Sequence, residues 1–195
     1  MAQAPSARAY RVVVVREDED GPSDDVLIGG REQVVVVVVD HDPAWAVQDE
    51  QVRSAVERAL PKAVVRHIGS TSVPGLASKP IVDVLLVLPS VEDEAAYVPA
   101  LERAGLVLRV REAGHRMLRT PARDVHLHVV DDGGPQVHAY LALRDRLRAS
   151  AIDRELYAGT KRELARREWA CMDDYADAKS DVIAEILGRT GRLAD

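Results

Sequence analysis

The chain's 195 residues are 47% apolar and 30% charged, with no Phe and a formal net charge of −6. That length fits one domain, or one domain with a short appendage, and the apolar share supports a buried core. The acidic balance and the 4% aromatic content argue against a general nucleic-acid coat, which needs a basic footprint, and against a stacking platform for single strands.

Residues 1–30 read as an N-terminal extension. It is partly strand, at 11–15, and partly a mobile, acidic, turn-rich stretch broken by Gly21-Pro22 and Gly29-Gly30. Residues 1–10 lack the apolar core of a signal peptide, and no run has the length of a membrane helix. The expected location is therefore cytoplasmic, with no membrane partner. Residues 31–195 read as the main domain. Its first feature, six consecutive valines at 34–39, predicts a strand buried on both faces.

Asp42-Pro43 opens a helix through about Leu60, with Val47, Val52, Val56 and Leu60 near helical spacing, and Pro61 ends it. Strands are predicted at 63–68 and 81–88, joined by a loop over 69–80. Ser90 caps a helix over 91–104 that Gly105 closes. Residues 106–110, 115–119 and 125–130 form a three-stranded meander, and 136–149, 151–170 and 173–188 are helical. Residues 141–170 hold eight Arg or Lys against five acids, a balance ordinary for solvated helix faces. The single Cys171 allows no internal disulfide and reads as a packing residue. Strands followed by three helices predict an α/β protein of the α+β kind, a mixed sheet with a C-terminal helical bundle packed on it.

The loop over 66–83, RHIGSTSVPGLASKPIVD, carries the chemical signal. Gly69 permits close approach of a bulky group at the end of a strand. Ser70, Thr71 and the backbone N–H groups around them can cradle phosphate oxygens, and Lys79 can add a point charge. Asp83, on the next strand, is placed to hold the metal ion that accompanies a nucleoside triphosphate. The pattern is not a P-loop, which needs Gly-Lys-Ser/Thr at the start of a helix.

This phrase resembles the signature of the GrpB-like family of the nucleotidyltransferase superfamily, Gly-Ser after one strand and a carboxylate on the next. The resemblance extends to His41-Asp42-Pro43-Ala44-Trp45, to the His-x-His strand His126-Leu127-His128, to the helix around Arg144-Asp145-Arg146-Leu147-Arg148, and to Tyr157 with Lys161 and Tyr175 with Lys179. It covers about residues 34–190 and implies a nucleotidyltransferase-like fold. It also favours Arg116 over Arg119 as a pocket residue, the two lying on opposite faces of one strand. Arg116, Arg144, Lys161 and Lys179 join Gly69, Ser70, Thr71 and Lys79 as candidate nucleotide-binding residues.

The resemblance has a gap. Active members of that superfamily present two carboxylates one residue apart, which with a third bind two Mg2+ ions. Here Asp83 has Ile81 and Leu85 as its same-face neighbours. A period of two places Asp124, His126 and His128 together on another strand, unless Asp124 falls in the turn. Paired imidazoles suit Mn2+, Fe2+ or Zn2+ better than Mg2+. Three roles stay open for His126 and His128: metal ligation with Asp83, hydrogen bonding to substrate, or structure, and one of them could serve as a general base.

The resemblance implies metal-dependent nucleotidyl transfer, with Mg2+ or Mn2+, from a nucleoside triphosphate to a small-molecule acceptor rather than to a nucleic acid, with carboxylate activation as one form. Asp83, His126 and His128 are the candidate catalytic residues. The alternative is a catalytically silent domain that senses a nucleotide or phosphometabolite and acts through partners.

Overall fold

The computed structural model describes residues 27–28, 36–169 and 172–189 of the chain. The strand expected at 11–15, most of the 1–30 extension and Cys171 lie outside the described residues.

Among the described residues, five strands form a sheet: β1 (Val64–Ile68), β2 (Val82–Leu88), β3 (Val107–Glu112), β4 (His115–Arg119) and β5 (Val125–Asp131), in the order β1-β2-β5-β4-β3. Among these five strands the β2–β5 pair is parallel and the other pairs are antiparallel, so the sheet is mixed, as expected. The parallel pair lies at the centre, and its alternate residues feed two apolar layers. Val82, Val84, Leu86, Val125, Leu127 and Val129 face one side and are buried there with Trp45 and Val56 of α1 (Ala44–Ala59) and Leu101 of α2 (Val98–Arg103). Leu85 and Val130 face the other, against Val137, Tyr140 and Leu141 of α3 (Pro135–Ala149).

The remaining helices, α4 (Ala151–Leu164), α5 (Met172–Asp177) and α6 (Ser180–Gly188), complete a bundle with α3. Leu147, Tyr157, Ile183 and Ile186 are buried together with Val73 and Leu76 of the loop after β1. The bundle is thus anchored to that loop as well as to the sheet. No helix among the described residues is long and apolar enough to cross a membrane.

Four expectations need correction. Of the valine run, residues 36–39 are not a doubly buried strand: Val39 exchanges two backbone hydrogen bonds with Ser78 in an isolated bridge, and Val37 is 51% exposed. An uninterrupted β-branched run has no period, so it cannot distinguish a central strand from an extended segment lying along a loop. The helix over 91–104 shortens to a 3-10 turn at Glu94–Ala96 followed by α2, with Pro99 in its first turn. Ser90 does not cap it. The chain is instead held at Val91, whose N–H donates to Asp131 Oδ1 at 2.7 Å, and at Glu94, which Arg111 and Arg116 grip. Finally, 173–188 divides into α5 and α6 around Ala178-Lys179, and α4 stops at Leu164.

Candidate functional site

The site begins where β1 ends. Gly69 has φ +67° and ψ −173°, a conformation open essentially to glycine alone. Ile68 pairs in register with Asp83, and this brings the Asp83 carboxylate onto the glycine: a Cβ at position 69 would lie 2.3 Å from Asp83 Oδ2. Ser70–Ser72 then form a 3-10 turn, locked by Ser72 Oγ donating to Gly69 O at 2.6 Å. From α3, Arg148 donates twice to Ser72 O, at 3.0 and 2.7 Å, and Arg144 donates to His67 O at 3.1 Å. The loop is therefore held from both sides before any ligand arrives.

The parallel register sets Asp83 beside His126 and Leu85 beside His128, and the strand period turns all four to the same face. Asp83 Oδ1 lies 3.7 Å from His126 Nδ1 and 3.6 Å from His128 Nε2. One ligand atom from each of the three residues falls within 4.8 Å of the others, a spacing that fits a shared cation. Burial would raise the Asp83 carboxyl, but His128, His126 and Lys79 outweigh it and hold the group below the usual carboxylate range. Burial pushes His126 down to about 4, with repulsion from His128 and Lys79 adding to it, so its imidazole is neutral at pH 7. Two imidazoles and one carboxylate form a donor set suited to Mn2+, Fe2+ or Zn2+.

Behind His128 runs a buried chain that the sequence reading did not single out. His115 Nε2 lies 3.2 Å from His128 Nδ1, and His115 Nδ1 lies 2.9 Å from Glu112 Oε2. The two rings stack, 16° from parallel. Tyr140 of α3 also packs against His128, its ring centroid 5.7 Å away.

The helical wall of the site is cationic. Lys161 is 3% exposed, and its Nζ donates to Ser70 Oγ at 2.9 Å and to Ala77 O. Burial, reinforced by repulsion from Lys179 and Arg162, lowers its ammonium to about 7. Lys179 is pulled down to about 8 by burial and by Lys79, and burial lowers Lys79 as well. Tyr175 packs under both of these, with Lys179 Nζ 4.6 Å and Lys79 Nζ 5.3 Å from its ring centroid, and Lys161 sits 4.8 Å from the ring centre of Tyr157. Three lysines thus converge on aromatic faces next to one carboxylate, an arrangement that favours an anionic ligand.

A cavity of about 360 Å3 joins these groups. Of the residues expected from the sequence, Gly69, Ser70, Lys79, Asp83, His126, His128, Arg144, Lys161 and Lys179 line it. Thr71 does not: it is buried behind the loop, its hydroxyl 3.1 Å from His67 Nε2. Arg116 is a correction. It pairs in register with Val129, on the opposite face of the sheet, where it forms ion pairs with Glu92 and Glu94. Asp124 lies in the turn before β5 and accepts from Gln48 and Thr120 at 2.8 and 2.6 Å. Glu112 and His115 could have been suspected only from the β3–β4–β5 register, which brings them beside His128 across two strand pairings.

Together, fold and site define an α+β protein with a cation-rich cleft between a mixed sheet and a helical bundle. The family model described as "GrpB protein" matches residues 35–189, and the chain belongs to the GrpB family. It is 51% identical over 166 residues to a UPF0157 protein of Streptomyces coelicolor, covering 85% of this chain and 89% of the relative. A UPF0157 protein of Halalkalibacterium halodurans is 43% identical over 159 residues, with 79% and 82% covered. Among solved structures, the conserved protein GrpB from Enterococcus faecalis is similar at a TM-score of 0.67 and 32% identity, over 80% of this chain and 99% of that one.

Proposed function

We propose that the cleft binds a nucleoside triphosphate with one divalent cation and transfers its nucleotidyl group to a small acceptor. The observation that carries this reading is the convergence of Asp83, His126 and His128 beside three lysines, Lys161 buried and Lys79 and Lys179 half-buried, in one cavity. Asp83, His126 and His128 would hold the cation, which when bound supplies Lewis-acid polarisation of a phosphoryl oxygen. Lys79, Lys161 and Lys179 neutralise phosphate oxygens, and their partial burial makes each charge count for more than it would in water. Gly69 lets the Asp83 carboxylate close on the backbone, and Ser70, held by Lys161, presents a hydroxyl beside it.

In the transfer, an acceptor oxygen bonds to the α-phosphorus while the bond to the pyrophosphate oxygen breaks. A hydroxyl acceptor must also lose a proton. A carboxylate acceptor has none to lose and gives an acyl-nucleotide and pyrophosphate directly. That chemistry suits a site in which Ile81 and Leu85 flank Asp83 and no second carboxylate stands beside it on β2. The same flanking residues favour the second reading, a nucleotide- or phosphometabolite-sensing domain without turnover.

A thermal-shift screen of ATP, GTP, CTP and UTP, each with Mg2+, Mn2+ or Zn2+, tests the binding. The expected result is a stabilisation that requires nucleotide and cation together and is lost in Asp83→Asn while the unliganded melting temperature barely changes. No shift with any pair would reject nucleotide binding. Pyrophosphate release on addition of acceptor carboxylates or alcohols then separates transfer from sensing.

A further inference from the structure

The hydrogen-bond chain behind His128 has a direction set at its far end. Glu112 Oε2 is a carboxylate oxygen and can only accept, so His115 Nδ1, 2.9 Å away, carries the proton of that bond. A neutral imidazole that donates from Nδ1 is bare at its other nitrogen, Nε2. That nitrogen lies 3.2 Å from His128 Nδ1, which must then be the donor. With Nδ1 donating to His115, the ring of His128 offers a cation the lone pair on Nε2. This atom faces Asp83 Oδ1 at 3.6 Å, within the spacing at which a shared cation would sit.

We propose that Glu112 and His115 are positioning residues that fix His128 as its Nδ1–H tautomer and so present its Nε2 lone pair to the cation shared with Asp83. The inference rests on the cation-binding reading of Asp83, His126 and His128, and it extends that site by two residues from β3 and β4. The side chains of Glu112 and His115 are 18% and 14% exposed, so little water competes for the chain's hydrogen bonds. The stacking of His115 on His128 fixes the ring plane as well as the proton. Partners of this kind that orient a ligating imidazole commonly change metal affinity by about 10–100-fold when removed.

The test uses the untagged full chain, titrated with Zn2+ and separately with Mn2+ by calorimetry. It is paired with long-range 15N–1H NMR of the histidine rings in the cation-free protein. Wild type is expected to bind cation and to show His128 protonated at Nδ1. His115→Phe, which keeps a stacking ring but offers no acceptor, is expected to bind about 10–100-fold more weakly and to lose the single tautomer. Glu112→Ala should do the same, while Glu112→Gln, whose amide oxygen still accepts from His115, should recover most of the affinity. If His115→Phe does not fold, the Glu112→Ala and Glu112→Gln pair decides the matter. Cation binding by wild type with unchanged affinity and unchanged tautomer in the variants would overturn the positioning role alone. Absence of cation binding in wild type would overturn the cation site itself, and this role with it.

Discussion

At the scale of single residues, Gly69 makes the sharpest prediction. Its backbone conformation alone costs a non-glycine residue about 1–3 kcal/mol, and a Cβ would also strike Asp83. Gly75 has φ +76° but nothing within 4 Å of a added Cβ, so Gly75→Ala tests the backbone cost by itself. Urea unfolding should show Gly69→Ala losing more stability than Gly75→Ala, and only the former should abolish the nucleotide- and cation-dependent shift. Equal losses would mean that the Asp83 carboxylate is not seated by this contact. The residues legible in the sequence were those whose relation is local. His126 and His128 share a face because strand side chains alternate, and Gly69 precedes three hydroxyls on one loop. Arg116 was misplaced because alternation separates it from Arg119 without saying which face meets the cavity. β4 turns His115 and Met117 to the cavity, and Arg119, paired in register with His126, shares that face.

At the scale of elements, the strands of the meander and the start of α1 were legible because apolar period, Pro and Gly agree there. The helical ends were not, because they depend on contacts distant in sequence. Asp153 is the clearest such contact. Ser150 caps α4 by accepting from Asp153 N at 3.2 Å, and the Asp153 side chain, 1% exposed, pairs with Arg146 of α3 at 2.5 Å and with Arg189 just beyond α6 at 2.7 Å. Three helices thus meet at one carboxylate. Asp153→Asn should cost about 3 kcal/mol, at the low end for a broken buried pair because Arg189 still reaches water. Its partners hold the Asp153 carboxyl below its usual value against the effect of burial, so its contribution is present above about pH 4 and fades as the pH falls further. Denaturant curves of wild type and variant should therefore converge in acid. A constant gap down to pH 3 would assign the loss to packing.

At the scale of the whole molecule, the formal charge of −6 conceals a cleft walled by Lys79, Lys161 and Lys179. Net charge says nothing about where the positive charges gather. Lys79 precedes β2 while Lys161 and Lys179 come from the C-terminal bundle, so folding alone brings them together. That gathering has a pH signature. Lys161 sits at about 7 in the folded protein, against about 10.4 for an exposed lysine, so between those values the unfolded chain holds a proton that the folded one lacks. Raising the pH through this window stabilises the unliganded fold, and lowering it ionises a buried amine at a cost. A bound polyphosphate reverses the preference, since it favours the ammonium form and binding then takes up a proton. Inorganic tripolyphosphate, the part common to all nucleoside triphosphates, should therefore bind about tenfold more weakly at pH 9 than at pH 7. Lys161→Met, of similar volume but without charge, should reduce both slopes, the rise of unliganded stability with pH and the fall of tripolyphosphate affinity, and leave the part that Lys179, at about 8, contributes. A wild-type affinity independent of pH would place the phosphates away from Lys161, and the stability slope alone would then report its burial.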